Sequence, residues 1–358
     1  MALLLFALCG AGFGAGWILL RKVPTAAPLP ESFQPPQVSI IIPARNEAST
    51  LPRLLDSIAA SSARPWEIIV VDDQSTDATA MIAAKAGARV VSAPALEAGW
   101  TGKSWACHHG ALFAAAAAPL LFFLDADTYF VKDGYARIVR EFSALPKGAA
   151  LSVLPYHRMK SWSEQLSLFF NVITAMAAGG FTGAASPLLF GQSLLISKEL
   201  YFAAGGHASI RGEILENLHL SSCIKSAGGQ CHTLGGRTAL EMRMFPHGAR
   251  QQNESWRKGF AAGASAVRPL VRALSATWLG GLALSSLLLV LSGAHWTSWI
   301  IYALLVAQLS ILARQVGNFN WMTLACFPVS LAYYMLIFTQ SAWRRATGKA
   351  VTWRGRSL

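Results

Sequence analysis

The sequence predicts an α/β domain built on a parallel, doubly wound sheet and set between hydrophobic ends. Three observations predict it. Apolar, β-branched runs alternate with helical patterns from Val38 to Thr128. Aspartates stand where those runs stop (Asp72, Asp73, Asp125 and Asp127), and ligands bind such sheets at the carboxyl ends of the strands. Charge-free segments flank this polar middle on both sides. The 358-residue chain is 53% hydrophobic and only 13% charged, with mean hydropathy +0.40, which is too apolar for an ordinary soluble protein of this size. Thirty basic against 18 acidic residues leave +12. With hydrophobic ends present, that charge favours an anionic membrane surface over nucleic acid as partner.

Leu3–Leu20 carries no charge and is followed directly by Arg21-Lys22. Its 18 residues just suffice to span a bilayer. A secretory signal would carry its positive charge ahead of the apolar core; here the charge follows, so the segment reads as an anchor (1–22) with residue 21 onward in the cytoplasm. Val23–Gln37, with five prolines, reads as a linker. Cys9, Cys107, Cys223, Cys231 and Cys326 form no CxxC pair or zinc spacing.

The catalytic domain is expected over 38–272. Val38–Pro43 is a buried strand, and Ala44–Glu47 is a loop into a helix. Trp66–Val71 is a second strand ending on Asp72-Asp73, and Ser75–Ala86 a helix with Asp77 in its first turn. Arg89–Ser92 is a short strand and Lys103–Ala117 an alanine-rich helix. It leads to the strand Leu121–Leu124, which runs into Asp125 and Asp127. Two carboxylates one residue apart at a strand end face one cleft and suit a hard divalent cation; a strand running into a capped turn is the plain alternative. The first strand lacks GxGxxG at its exit, and Thr101–Ser104 lacks the leading glycine of a Walker A loop, so both dinucleotide and P-loop readings drop out.

What remains resembles the family 2 glycosyltransferases. The resemblance lies in Ile41–Glu47, Val71–Asp77 and the Asp125/Asp127 pair, in that order. It implies a GT-A nucleotide-sugar fold, a UDP-sugar donor and Mg²⁺ or Mn²⁺. It further implies that Asp73 hydrogen-bonds the uracil with Glu47 near the nucleoside, while Asp127 holds the metal on the diphosphate with Asp125 beside it. Gly99–Cys107, Leu151–His157, Gly205–His207, Val316–Phe319 and Trp353–Arg356 are similar to the membrane subgroup that glycosylates a carotenoid acid. Relatives acting on hopanoids, sphingolipids or polyprenyl phosphates share many of these features, and a catalytically silent membrane scaffold is the reading from another class. Lys103, at a helix start, is a candidate phosphate contact; a solvated helix-end lysine is the alternative.

Family 2 enzymes often carry Glu-Asp where this chain has Glu216-Asn217, the aspartate serving as base. Asparagine takes no proton at neutral pH, so Glu216 is the catalytic candidate there. Gln252–Trp256 partly resembles the QxxRW signature, with serine in the arginine place and Arg257 and Lys258 following. Trp256 is a candidate for stacking on the acceptor and Arg257 for contacting diphosphate or headgroups; a helix snorkelling at the membrane is the alternative. Ser161–Ala178 reads either as an interfacial helix admitting a lipophilic acceptor or as a core helix.

Leu274–Leu291 and Trp296–Ala313 form a hydrophobic hairpin within a membrane region spanning 273–341. A third segment, Trp321–Thr339, contains Pro328. Three crossings would put the tail (342–358) outside, yet Arg344, Arg345, Lys349, Arg354 and Arg356 crowd it. The positive-inside rule therefore favours a re-entrant third segment and a cytoplasmic tail. The whole reads as a multi-pass, metal-dependent, inverting glycosyltransferase of the cell membrane, with its catalytic domain cytoplasmic and membrane lipids as partners.

Overall fold

Branched side chains pack well on a pleated surface, and the valine and isoleucine runs of this chain form strands buried on both faces. The computed structural model describes residues 2–30, 32–179, 188–213, 216–246, 248–292, 295–347, 352–353 and 356–357. The chain divides into two compact units. One comprises Pro24–Tyr156 and Gly183–Arg243, the other Met1–Val23, His157–Thr182 and Met244–Leu358.

The strands are β1 (Val38–Ala44), β2 (Glu67–Asp72), β3 (Arg89–Ser92), β4 (Leu120–Leu124), β5 (Thr128–Phe130), β6 (Ala149–Leu154), β7 (Tyr156–His157), β8 (Ser193–Ser197), β9 (Gln230–Gly235) and β10 (Leu240–Met242). Seven make one sheet in the order β3-β2-β1-β4-β8-β6-β9. Ile40 and Ile42 of β1 pack on one face with the helices Leu51–Ala59 and Gly134–Ser143. Ile41 packs on the other, with Gly102–Phe113, Lys198–Ala203 and Glu216–Ser226. Burial on both faces is why these strands read as unbroken apolar runs.

The expectation of a wholly parallel sheet is corrected: β8 runs antiparallel to both β4 and β6. After β6 the chain leaves for the other unit and re-enters the sheet from the carboxyl end of β4, where Asp125 N–H donates to Gln192 O at 3.0 Å. That reversal delivers Gly191–Ser193 to the aspartates. The helix expected over Ser75–Ala86 begins only at Thr79, because Asp77 turns its carboxylate back onto Thr79 N (3.0 Å) and Ala48 N (3.2 Å). The proline-rich stretch expected as a linker is bound along this unit. Thr25 bridges Gly235, Ala27 N–H donates to Glu141 Oε1 at 3.0 Å, and Ala26 O accepts from Thr238 Oγ1 at 2.9 Å.

In the other unit the helix Ala2–Leu19 packs against Pro269–Leu291 where Gly12 meets Gly281; a Cβ on Gly12 would lie 2.8 Å from the Gly281 Cα. Gln308, from the helix Trp296–Ala313, donates to Phe13 O at 2.6 Å and accepts from Trp278 Nε1 at 3.1 Å. Pro269–Leu291 and Trp296–Ala313 are long and apolar enough to cross a membrane. The third segment is not one helix. It breaks at Cys326 into Trp321–Ala325 and Phe327–Ala346.

Of the two readings of Ser161–Ala178, the core helix is the one found. Ser161 and Glu164 form a capping box, the chain kinks, and Leu168–Ala178 follows with Phe169 and Phe170 fully buried among Trp278, Phe327, Tyr333 and Tyr334. Burying each such ring is worth roughly 1.5–3 kcal/mol, more than an interfacial position returns.

Candidate active site

Two loops at the ends of β1 and β2 are sewn together by the residues between the motif acids. Asn46, in the left-handed region at φ 56, accepts from Thr76 N at 2.8 Å through Oδ1, and its own N–H donates to Ser75 Oγ at 3.0 Å. Glu47 N–H donates to Thr79 Oγ1 at 2.8 Å, and Thr50 Oγ1 donates to Glu47 Oε2. Asp73 is buried, its N–H donating to Ala44 O at 2.9 Å, and its Oδ2 lies 3.7 Å from the Arg45 guanidinium. Ser75, Thr76 and Asp77 thus shape the loop that carries Asp73 beside Glu47.

Asp125 leaves β4, and a turn closed by Thr128 N–H to Asp125 O at 3.1 Å carries Asp127. Lys103, whose helix is capped by Thr101, reaches Asp125 Oδ1 at 2.6 Å and Gly191 O at 2.8 Å. Burial alone would lower the Lys103 ammonium, but the carboxylates of Asp125 and Glu216 overcome it and hold its pKa above the ordinary lysine range. Lys103 is therefore paired to an acid and to a backbone carbonyl. Burial, then Asp125 and Glu47, push the Asp127 carboxyl well above the usual carboxylate range, and its Oδ1 has no hydrogen-bond partner among the described residues. Burial pushes Glu216 up to about 7, with Asp125 adding to the rise and Lys103 opposing it. Its Oε2 likewise has no partner among the described residues.

These features fit a divalent cation. An acid whose charge is costly, with a sealed and unpaired oxygen beside a second carboxylate, is what a hard cation relieves. Among the described residues no group of three or more His, Cys, Asp or Glu side chains could hold a metal. Asp125 and Asp127 are the residues that would hold such a cation, which would supply positive charge at this end of the sheet.

The structure brings together Asp125, Asp127, Lys103 and Glu216, and adds residues to which the sequence reading gave no role. Cys107, His207 and Gly191 line a concavity with Lys103 and Asp125. The signal for His207 was the Gly205-Gly206-His207 run; Cys107 lies one turn beyond Lys103. Trp256 and Arg257 belong to the other unit. Phe170 covers one face of Trp256 at 4.5 Å and 16°, and Phe245 meets the ring edge-on. Arg257 is half-buried with no partner for Nε. The side chains of Asn217 and Lys258, and residues 349, 354 and 355, lie outside the described ones.

A mixed α/β sheet thus gathers acids at the ends of its strands. Residues 39–218 match the family model for glycosyl transferase family 2, and the chain belongs to that family and is a glycosyltransferase. Over 339 residues it is 32% identical to the 4,4'-diaponeurosporenoate glycosyltransferase of Staphylococcus aureus (strain MRSA252), covering 91% of this chain and 89% of that protein. The protein of the same name from strain USA300 is also 32% identical, over 336 residues and the same shares of each chain. Among solved structures, the mannosyltransferase PcManGT from Pyrobaculum calidifontis, in complex with GDP-Man and Mn²⁺, superposes with TM-score 0.57. That match covers 96% of this chain and 98% of the other at 19% identity, a likeness of fold.

Proposed function

We propose that this enzyme moves a hexose, glucose from UDP-glucose, with inversion onto a carotenoid carboxylic acid at the cytoplasmic face of the cell membrane. The observation that carries the reading is the meeting of Asp125, Asp127, Lys103 and Glu216 in a chain similar over 91% of its length to enzymes named for such an acceptor. Asp73 accepts the uracil N–H, a bond a buried carboxylate makes well, and Glu47 lies toward the nucleoside. Asp125 and Asp127 hold Mg²⁺ or Mn²⁺, which supplies positive charge for the departing diphosphate. Lys103 keeps Asp125 in place and offers its remaining N–H to the same anion.

A carboxylic acid has a pKa of roughly 4–5 and is ionised at neutral pH, so it attacks without a base, and Asn217 is tolerated. Glu216, pushed up to about 7, also suits proton removal from a hydroxyl. That supports the second reading, transfer to a lipid alcohol. One experiment tests both. Purified enzyme in detergent, wild type and Glu216→Gln, is given a panel of UDP-hexoses with a carotenoid acid or the matching primary alcohol, and products are scored by mass. The acid should be glycosylated, and Glu216→Gln should cost it far less than the roughly 10²–10⁴-fold expected of a lost base, while the alcohol suffers the full loss. Neither transfer nor hydrolysis from any UDP-hexose would end the reading.

A further inference from the structure

The Gly205-Gly206-His207 run is left unexplained by the acids. Gly205 and Gly206 hold φ of +78 and +52, and a Cβ on Gly206 would lie 2.6 Å from the Tyr201 ring. The missing side chain lets that ring slide beneath the backbone. The Tyr201 hydroxyl then accepts His207 N–H at 3.1 Å and meets His207 Nδ1 at 2.8 Å. His207 is 2% exposed and packs on Phe123, two residues before Asp125, with ring centroids 4.9 Å apart.

This network fixes the tautomer. The hydroxyl oxygen already accepts a backbone N–H, and its own proton has Nδ1 as its partner among the described residues; a buried hydroxyl proton left undonated is costly. Nδ1 is therefore the acceptor and Nε2 carries the hydrogen. His207 lines the concavity with Lys103, Asp125 and Gly191, and with Nδ1 turned to Tyr201 the ring nitrogen it can offer there is Nε2. Nε2 has no hydrogen-bond partner among the described residues. Burial, reinforced by the Lys103 ammonium and by His108, lowers the ring pKa to about 3, so the donor stays neutral.

We infer that His207 Nε2–H donates to one hydroxyl of the transferred hexose and so selects the donor sugar; this rests on the UDP-hexose reading above. The enclosed part of the concavity admits about one water-sized group, the size of a hydroxyl. A hydroxyl accepts from Nε2–H, whereas the diphosphate is already provided for, in the reading above, by the cation on Asp125 and Asp127 and by Lys103.

The test measures kcat/KM for UDP-glucose, its 2-, 3-, 4- and 6-deoxy analogues and UDP-galactose, together with inhibition by UDP. The wild type should lose about 10- to 100-fold on one deoxy analogue through the missing bond. In His207→Phe the parent donor should fall by a similar factor, with no further loss on that analogue and UDP inhibition unchanged. His207→Gln, whose amide N–H extends as far as Nε2, should restore discrimination, and Tyr201→Phe, which keeps the ring but frees its tautomer, should weaken it. Deoxy penalties that persist in His207→Phe would overturn the role. So would a loss of UDP affinity equal to the loss on every donor, which would place the contact on the diphosphate. A wild type inert toward every UDP-hexose would instead sink the donor assignment on which the role rests.

Discussion

Burial and two neighbouring acids, Asp125 and Glu47, keep the Asp127 carboxyl protonated further up the pH scale than an exposed aspartate. The folded chain then holds a proton that the unfolded chain releases near pH 4. Without a cation, stability therefore falls as pH rises from about 4 toward neutrality. Asp127→Asn should remove that slope and raise the thermal midpoint at pH 7.5 in chelator, while lowering transfer by roughly 10²-fold or more. Mn²⁺ should raise the wild-type midpoint and leave the variant's unmoved. A variant less stable than wild type in chelator, or one still stabilised by Mn²⁺, would contradict the assignment. Asp125 and Asp127 stand out in the sequence because they end an apolar strand abruptly with two acids. His207 and Cys107 were not, since their place depends on a loop and a helix face meeting around Lys103.

Elements were read well where period and burial agree. The strand Arg89–Ser92 and the helix Trp296–Ala313 have the bounds their patterns predict. The sense of β8 was hidden, because strand direction is set by where the chain re-enters the sheet and not by the strand's own residues. The Val316–Phe319 run was visible as a motif without a mechanism. It is a short pairing edge: His157 N–H donates to Val316 O at 2.9 Å and Asn318 N–H to His157 O at 3.2 Å. The Asn318 amide then continues the ladder, accepting from Met159 N at 2.5 Å and donating to Met159 O at 3.2 Å. Gly317 leaves room for it, since a Cβ there would lie 2.8 Å from the Phe319 ring and 3.1 Å from His157 O. Asn318→Ala strands both Met159 groups and should cost about 1–3 kcal/mol, read as a lower thermal midpoint in detergent. An unchanged midpoint would show that the ladder adds nothing.

On the scale of the whole molecule, the sequence reading ran one catalytic domain over 38–272, whereas 157–182 and 244–272 fold with the terminal helices. A unit assembled from three separate stretches of chain leaves no boundary in composition. Charge at the helix ends carries information that composition does not. Cys9 Sγ lies 3.8 Å from Gly281 O, while Phe13 and Val23 are bonded to Gln308 and Gln315. Ala2–Leu19 therefore runs antiparallel to Pro269–Leu291 and parallel to Trp296–Ala313. One end of this bundle gathers Arg21, Lys22, Arg268, Arg272 and Arg314; the other has Ser292 and His295, with Trp296 and Trp299 exposed beside them. An enzyme working at the cytoplasmic face, as proposed, would have this basic end in the cytoplasm. In cells carrying Cys223→Ser and Cys326→Ser, Ser292→Cys should react with a membrane-impermeant maleimide from outside. Lys22→Cys should react only after permeabilisation, and so should Thr347→Cys if the positive-inside rule holds the arginine-rich tail on the same side. Outside labelling of Thr347→Cys alone would mean that Phe327–Ala346 crosses the membrane. Outside labelling of Lys22→Cys would invert the bundle and remove the enzyme from the cytoplasmic UDP-sugar pool.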